Sequence, residues 1–307
     1  MTRAVPLLLG LLLPALCLAQ SPVATPETPS DRLVLNTLLG ARLNPLGLEL
    51  ASRAGYQKLL YRDEAALFRD NFVFVGTHPR LSPASIRVGP VVELQPLSIF
   101  NLRLAAEYVG YFGTLGYLQT RPSPSADYSD TSLEAGKEAG DYGSASGMRL
   151  AIEPFVQMKV GPLALRNRFT LEYWNMGDLR NGGTVFYEGT LDTLVPGKGL
   201  VYANELDVLF LGLPPLVLGA RHSLVRPLYT SRQLAPGESV NNGHHRLGLL
   251  AAYVFYDEGF TAFNKPAVFL NVAWYLRHRW RTGADVSRAV PYVGLGFAFQ
   301  SDLMGGS

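Results

Sequence analysis

From residue 84 onward the chain changes character at almost every residue. Ile86, Val88, Pro90, Val92 and Leu94 alternate with Arg87, Gly89, Val91, Glu93 and Gln95. Met148, Leu150, Ile152, Pro154, Val156 and Met158 alternate with Arg149, Ala151, Glu153, Phe155, Gln157 and Lys159. Successive side chains of an extended strand point to opposite faces, so period two belongs to strands, whereas a helical face repeats at 3.6. The alternation recurs in 98–112, 162–175, 201–212, 266–280 and 288–300. Each segment has one apolar face and one mixed or charged face. That pattern suits a half-solvated soluble sheet, and equally a strand lying between lipid and a watery lumen.

The connections separate these two possibilities. "QPLS", "VGPL" and "LGLPPL" are tight turns, whereas the polar stretches from Gly113 to Gly147 and from Tyr229 to Gly243 are long loops. Short turns alternating with long loops are the asymmetry of an outer-membrane barrel. Tyr108, Tyr111, Phe112, Tyr173, Trp174, Tyr229, Trp274 and Trp280 fall near the loop ends of strands, as an interfacial aromatic belt would. Mean hydropathy is positive at +0.11, yet after the N-terminus no apolar run is long enough for a spanning helix.

Residues 1–19, with Arg3, a short apolar run and Ala19 before Gln20, read as a cleavable secretory signal peptide. The only cysteine, Cys17, lies inside it, so the mature chain would have no disulfide or thiolate site. Residues 20–32, "QSPVATPETPSDR", read as a flexible lead, 33–300 as the barrel and 301–307 as a tail. The formal charge of +2 gives no basic balance for nucleic acid. No phosphate-binding loop, nucleophile elbow or metalloprotease motif occurs, and no cofactor is implied.

With its signal peptide, its amphipathic strands and its final aromatic strand "GLGFAFQ", the chain resembles Gram-negative outer-membrane β-barrel proteins. The resemblance implies an all-β, antiparallel transmembrane β-barrel in the cell outer membrane. Its partners would be outer-membrane lipid and the barrel-assembly machinery that inserts it. Twelve strands are expected, at 33–43, 46–60, 67–77, 84–95, 98–112, 147–160, 162–175, 201–212, 215–227, 244–256, 266–280 and 288–300, with both termini periplasmic. Ten or fourteen are the alternatives, since the count before residue 84 is the least defined. It places the "NPLG" turn outside although it looks like the periplasmic turns. The segment Thr184 to Leu194 reads as a hairpin within a long external loop.

By the same parity the lumen would be lined by Arg87, Glu93, Arg103, Glu107, Arg149, Glu153, Arg166, Arg168, Glu172, Glu205, Asp207, Arg221, Arg277, Arg279 and Arg281. Tight-turn register would set Arg87 opposite Glu107 and Glu205 opposite Arg221, with Glu153 diagonal to Arg168. Arg277, Arg279 and Arg281 would climb as a ladder into the outer mouth, beside the small Gly294, Gly296 and Ala298 of the last strand. His244 and His245 point to opposite faces, as do His222 and Ser223, so neither pair makes a metal or hydrolase centre. His78 and His278 are expected at rims.

The charged inward face favours a narrow pore or transport channel with an Arg-rich lumen. One alternative is a barrel-embedded enzyme acting on lipid or peptide, which would need Ser, His and an acid clustered at the outer rim. The other is a structural or adhesive barrel that works through its loops.

Overall fold

The computed structural model describes residues 28–304. The signal-peptide segment lies outside the described residues, as do the start of the lead and residues 305–307. The strands are β1 (Asp31–Leu43), β2 (Gly47–Lys58), β3 (Phe72–Thr77), β4 (Arg80–Leu81), β5 (Ser85–Val88), β6 (Pro90–Leu97), β7 (Phe100–Phe112) and β8 (Thr120–Arg121). After helix α1 (Asp130–Glu138) come β9 (Ser144–Val160), β10 (Leu163–Asn175), β11 (Val185–Glu188) and β12 (Thr193–Pro196). The chain ends with β13 (Lys198–Leu213), β14 (Leu216–Leu228), β15 (His244–Val254), β16 (Asn264–Arg277) and β17 (Tyr292–Asp302).

β3 continues into β4, and β5 into β6, as single barrel strands with a break, so the main sheet closes as a twelve-strand antiparallel barrel. Closure runs through β1, which pairs with β2 on one side and with β17 on the other. Gly89 sits at the β5–β6 break, where a Cβ would lie 2.0 Å from the Ala106 carbonyl oxygen. Only glycine allows the two backbones to approach so closely there. Gly161 gives the β9–β10 turn its left-handed residue at φ +58°.

Outside the barrel, Leu39, Leu50, Val92, Leu104, Ile152, Val208, Leu249, Leu270 and Leu295 are all exposed. Inside, the facing positions are buried. This inverts the soluble arrangement and gives the barrel an apolar outer wall.

One rim carries the long segments 113–143, 176–197, 229–243 and 278–291; the other carries the tight turns at 98–99, 161–162 and 214–215. The Asn44–Leu46 turn lies on the long-loop rim, where Asn44 Nδ2 donates to the Val290 carbonyl at 3.0 Å. The alternating strand count therefore holds through the N-terminal third. The long 59–71 connection, which the pattern of short and long links did not anticipate, lies on the other rim. β17 runs on to Asp302, whose buried carboxylate takes Arg32 Nε at 2.6 Å.

Candidate functional site: the lumen and its closed mouth

At the waist of the barrel, alternation and register together create a ladder of buried ion pairs. Arg103 lies directly across from Glu153 and Glu107 across from Arg149 on β7 and β9. Arg149 contacts Glu107 at 2.5 Å and, from its other amino group, Glu172 on β10 at 2.7 Å. Trp174 Nε1 donates to the second Glu172 oxygen at 2.8 Å. On the next strands Asp207 accepts from both Arg166 and Arg221, with Arg221 Nε at 2.6 Å. Arg53 meets Glu93 at 2.8 Å, and Arg87 reaches Glu49 at 3.5 Å. Each pair holds two charges that would be costly to bury alone.

Two expected pairings differ by two residues. Arg87 faces Val109 instead of Glu107, and Arg221 faces Asp207 with Glu205 two positions along. The turns at 98–99 and 214–215 set these registers. A shift of two preserves the face of every side chain, so the charges stay inside and only exchange partners. Arg168 is opposite Phe155, which leaves it diagonal to Glu153 as expected.

His78, expected at a rim, is instead 1% exposed, with its ring against Arg103 where β3 breaks into β4. The small residues of β17 make room for rings rather than guanidiniums: a Cβ on Gly296 would meet the Phe269 ring at 2.2 Å.

Not every guanidinium is matched. Among the described residues, Arg168 and Arg246 have no carboxylate within ion-pair distance. Arg168 lies 5.4 Å from the Phe155 ring centroid, and Arg246 lies over Tyr292 at 4.0 Å. The side chains of Glu49, Arg80 and Glu205 keep 22%, 21% and 32% of their accessible surface. Solvent-sized space therefore persists within the waist.

The long-loop mouth is closed. The expected hairpin at 184–194 exists as β11–β12, joined to β8 in a three-stranded sheet. It packs inward: Phe186 and Val195 are fully buried against Val109, Tyr111, Trp174, Val201 and Val225 of the barrel wall. Tyr111 and Trp174 thus belong to this interior cluster rather than to an outer belt, whereas Tyr108, Phe112, Tyr173 and Trp274 are exposed on the outer wall. The Gly113 to Gly147 stretch, expected as a long polar loop, is also folded here over 113–143. Ser129 is buried, and its hydroxyl accepts from Ser132 N to cap α1.

At the hairpin tip, Asp192 gathers the polar groups of the mouth. Its carboxylate accepts from Tyr187 OH at 2.8 Å, Tyr275 OH of β16 at 2.5 Å and Arg281 Nε at 2.7 Å. Arg281 turns its outer edge to Asp130 at the start of α1, at 2.7 and 2.8 Å. Burial disfavours charge on Asp192, but the charge and hydrogen bond of Arg281 more than offset it and hold the carboxyl below its usual range. Burial pushes the Tyr187 hydroxyl well up.

Sequence reading missed Asp192 because it lies between strands and has no periodicity to mark it. Arg281 was singled out, but β16 ends at Arg277, so Arg279 and Arg281 do not continue a ladder. Arg279 donates to the Pro124, Ser125 and Ala126 carbonyls and lies over Trp280, while Arg277 is exposed. Two of the three arginines thus tie loops together.

Asp192, His244 and His278 each offer an atom within 4.8 Å of the others, a spacing compatible with a metal. Their hydrogen bonds argue against one. His278 Nδ1 accepts from the Trp280 and Arg281 amides at 3.0 and 3.1 Å, so the proton sits on Nε2, which donates to the Asp192 carbonyl at 3.0 Å. That ring has no lone pair left for a cation, and Arg281 already supplies the positive charge that Asp192 requires.

No protein-family model and no curated protein sequence matches the chain. Among solved structures it is similar to OccAB1 of Acinetobacter baumannii, at 10% identity and TM-score 0.42 over 83% of this chain. The chain spans 58% of OccAB1's length. It is also similar to the NanC porin, at 8% identity and TM-score 0.37 over 88% of this chain and 100% of that one. A third is the translocator domain of the autotransporter NalP from Neisseria meningitidis, at 13% identity and TM-score 0.38 over 91% and 90% of the two chains.

Proposed function

We propose that the chain is an integral outer-membrane barrel whose lumen is a narrow, anion-favouring passage, closed at its long-loop mouth by the β11–β12 hairpin. The apolar outer wall supports the membrane placement, since a solvated wall would carry polar side chains at those positions. In this reading the signal peptide exports the chain, the barrel-assembly machinery inserts it, the long loops face outward and both termini are periplasmic.

The observation that carries the passage is the excess of guanidinium over carboxylate at the waist. A barrel filled only for rigidity would match its buried charges, whereas Arg168 and Arg246 stand without ion-pair partners beside half-buried Glu49, Arg80 and Glu205. Unmatched positive charge enclosed by a low-dielectric wall concentrates anions.

Ion flux from liposomes tests the reading. Protein reconstituted with the mouth opened by Asp192→Ala should release chloride faster than potassium, and adding Arg168→Gln with Arg246→Gln should remove the preference. Equal release of both ions, unchanged by the two arginine substitutions, would contradict it.

A further inference from the structure

We propose that the outer wall, at its long-loop rim, carries a docking site for the phosphorylated headgroup of an anionic lipid, formed by Arg226, His245 and Arg277. The inference rests on the reading that this wall faces a membrane. Arg226 lies near the upper end of β14, and Arg277 is the last residue of β16. Both are exposed, and among the described residues neither side chain has a hydrogen bond, an ion pair or an aromatic ring to lie on. This sets them apart from the waist arginines, most of which are bound to carboxylates.

Register brings the two to either side of His245 on the intervening strand β15. Arg277 is directly across from His245, and His245 is across from Leu224. Arg226 is therefore diagonal to His245, and such positions lie about 7–8 Å apart, within reach of one headgroup. The His245 ring is itself held by His222, with Nδ1 and Nε2 3.4 Å apart.

Alternation leaves no carboxylate on the outward faces of β13, β14, β15 or β16 that could serve as counter-ion. Below the cluster those faces turn to Leu218, Leu247, Leu249 and Leu270, all exposed. Trp274, exposed beside it with Nε1 donating to the Ala289 carbonyl at 3.3 Å, suits the depth where hydrocarbon meets headgroups.

A phosphate monoester fits this geometry. Its oxygens take forked bonds from guanidinium and single bonds from imidazole, while acyl chains would lie along the leucines underneath. A free anion would use the arginines and leave the apolar surface bare. The apolar surface below the arginines favours the lipid over free phosphate.

Native mass spectrometry of the full chain in detergent tests this, with three probes: a diphosphorylated, acylated disaccharide, its dephosphorylated form, and inorganic phosphate. The phosphorylated lipid should bind about tenfold more tightly than either other probe. Arg226→Gln with Arg277→Gln should abolish that margin, and Lys58→Gln at the opposite rim should leave it intact. Circular dichroism of each variant checks that the barrel is folded.

If the folded protein enters membranes but binds both lipids alike, or if the double variant binds as the parent does, the inference is overturned and the membrane reading stands. Inorganic phosphate binding as tightly as the lipid also overturns it. A chain that never enters membranes removes the inference together with its foundation.

Discussion

At the waist, Arg149 lies between Glu107 and Glu172 because three adjacent strands present them there; at the mouth, Arg281 lies between Asp130 and Asp192 because two loops converge on it. The chemistry is the same and the support differs. Waist pairs are fixed by a hydrogen-bonded ladder that cannot shift without moving the barrel. Mouth pairs are fixed by one another and by the aromatic cluster around Phe186. Buried charge at the waist should therefore be part of the barrel's own stability, and buried charge at the mouth should act as a latch that can let go while the barrel stands.

The largest expected effect is at the latch. Asp192→Ala leaves Arg281 with Asp130 as its one carboxylate partner beside Asn44 and removes the carboxylate acceptor of Tyr187 and Tyr275, a loss of about 3–5 kcal/mol for a buried pair broken on one side. Limited proteolysis should then cut within 184–197, while the urea midpoint of the barrel stays close to the parent's. Equal shifts in both would mean that mouth and waist unfold as one unit.

The complementary change is smaller. Glu172→Gln leaves Arg149 with Glu107 and Glu153, so the cost should be about 1–3 kcal/mol, read in the urea midpoint. Protection of the hairpin from protease should not change.

Acid provides a third and milder probe. Burial holds His278 neutral and lowers its pKa, so the unfolded loop binds the proton first. Below the unfolded value near 6.5 the latch loses stability as pH falls. Asp192 is shifted in the direction that keeps it ionised across this range, and Arg281 stays charged. Protection of the hairpin should fall between pH 6.5 and 5. His278→Asn can still accept from the Trp280 and Arg281 amides and should flatten that dependence. A profile unchanged by the substitution would place the sensitivity elsewhere, with His244, whose ring centroid is 5.1 Å away, the first group to examine.

The contrast between the two regions also explains what could be read from the sequence. Period two placed Arg103, Glu107, Arg149, Glu153 and Glu172 on the inward face, because strand geometry fixes side-chain direction whatever the neighbours are. Exact partners were less legible, because one or two residues in a turn decide whether Arg221 lies across from Glu205 or from Asp207. The mouth was hardly legible at all. The Thr184–Leu194 hairpin was visible, but its inward fold depends on Phe186 and Val195 finding Trp174 and Val225, contacts between segments far apart in the chain. His78 misled for a similar reason: Pro79 in "THPR" marks a strand break, but the sequence does not show that the break turns the His78 ring inward against Arg103.

Single-channel recording of the Asp192→Ala protein in a planar bilayer under a salt gradient addresses the central claim most directly. The parent should pass little current. The variant should pass a steady current with a reversal potential on the anion side, and adding Arg168→Gln and Arg246→Gln should move that potential toward zero. A variant whose hairpin is cut by protease yet remains electrically silent, or conducts cations preferentially, would contradict an anion passage behind a latched mouth.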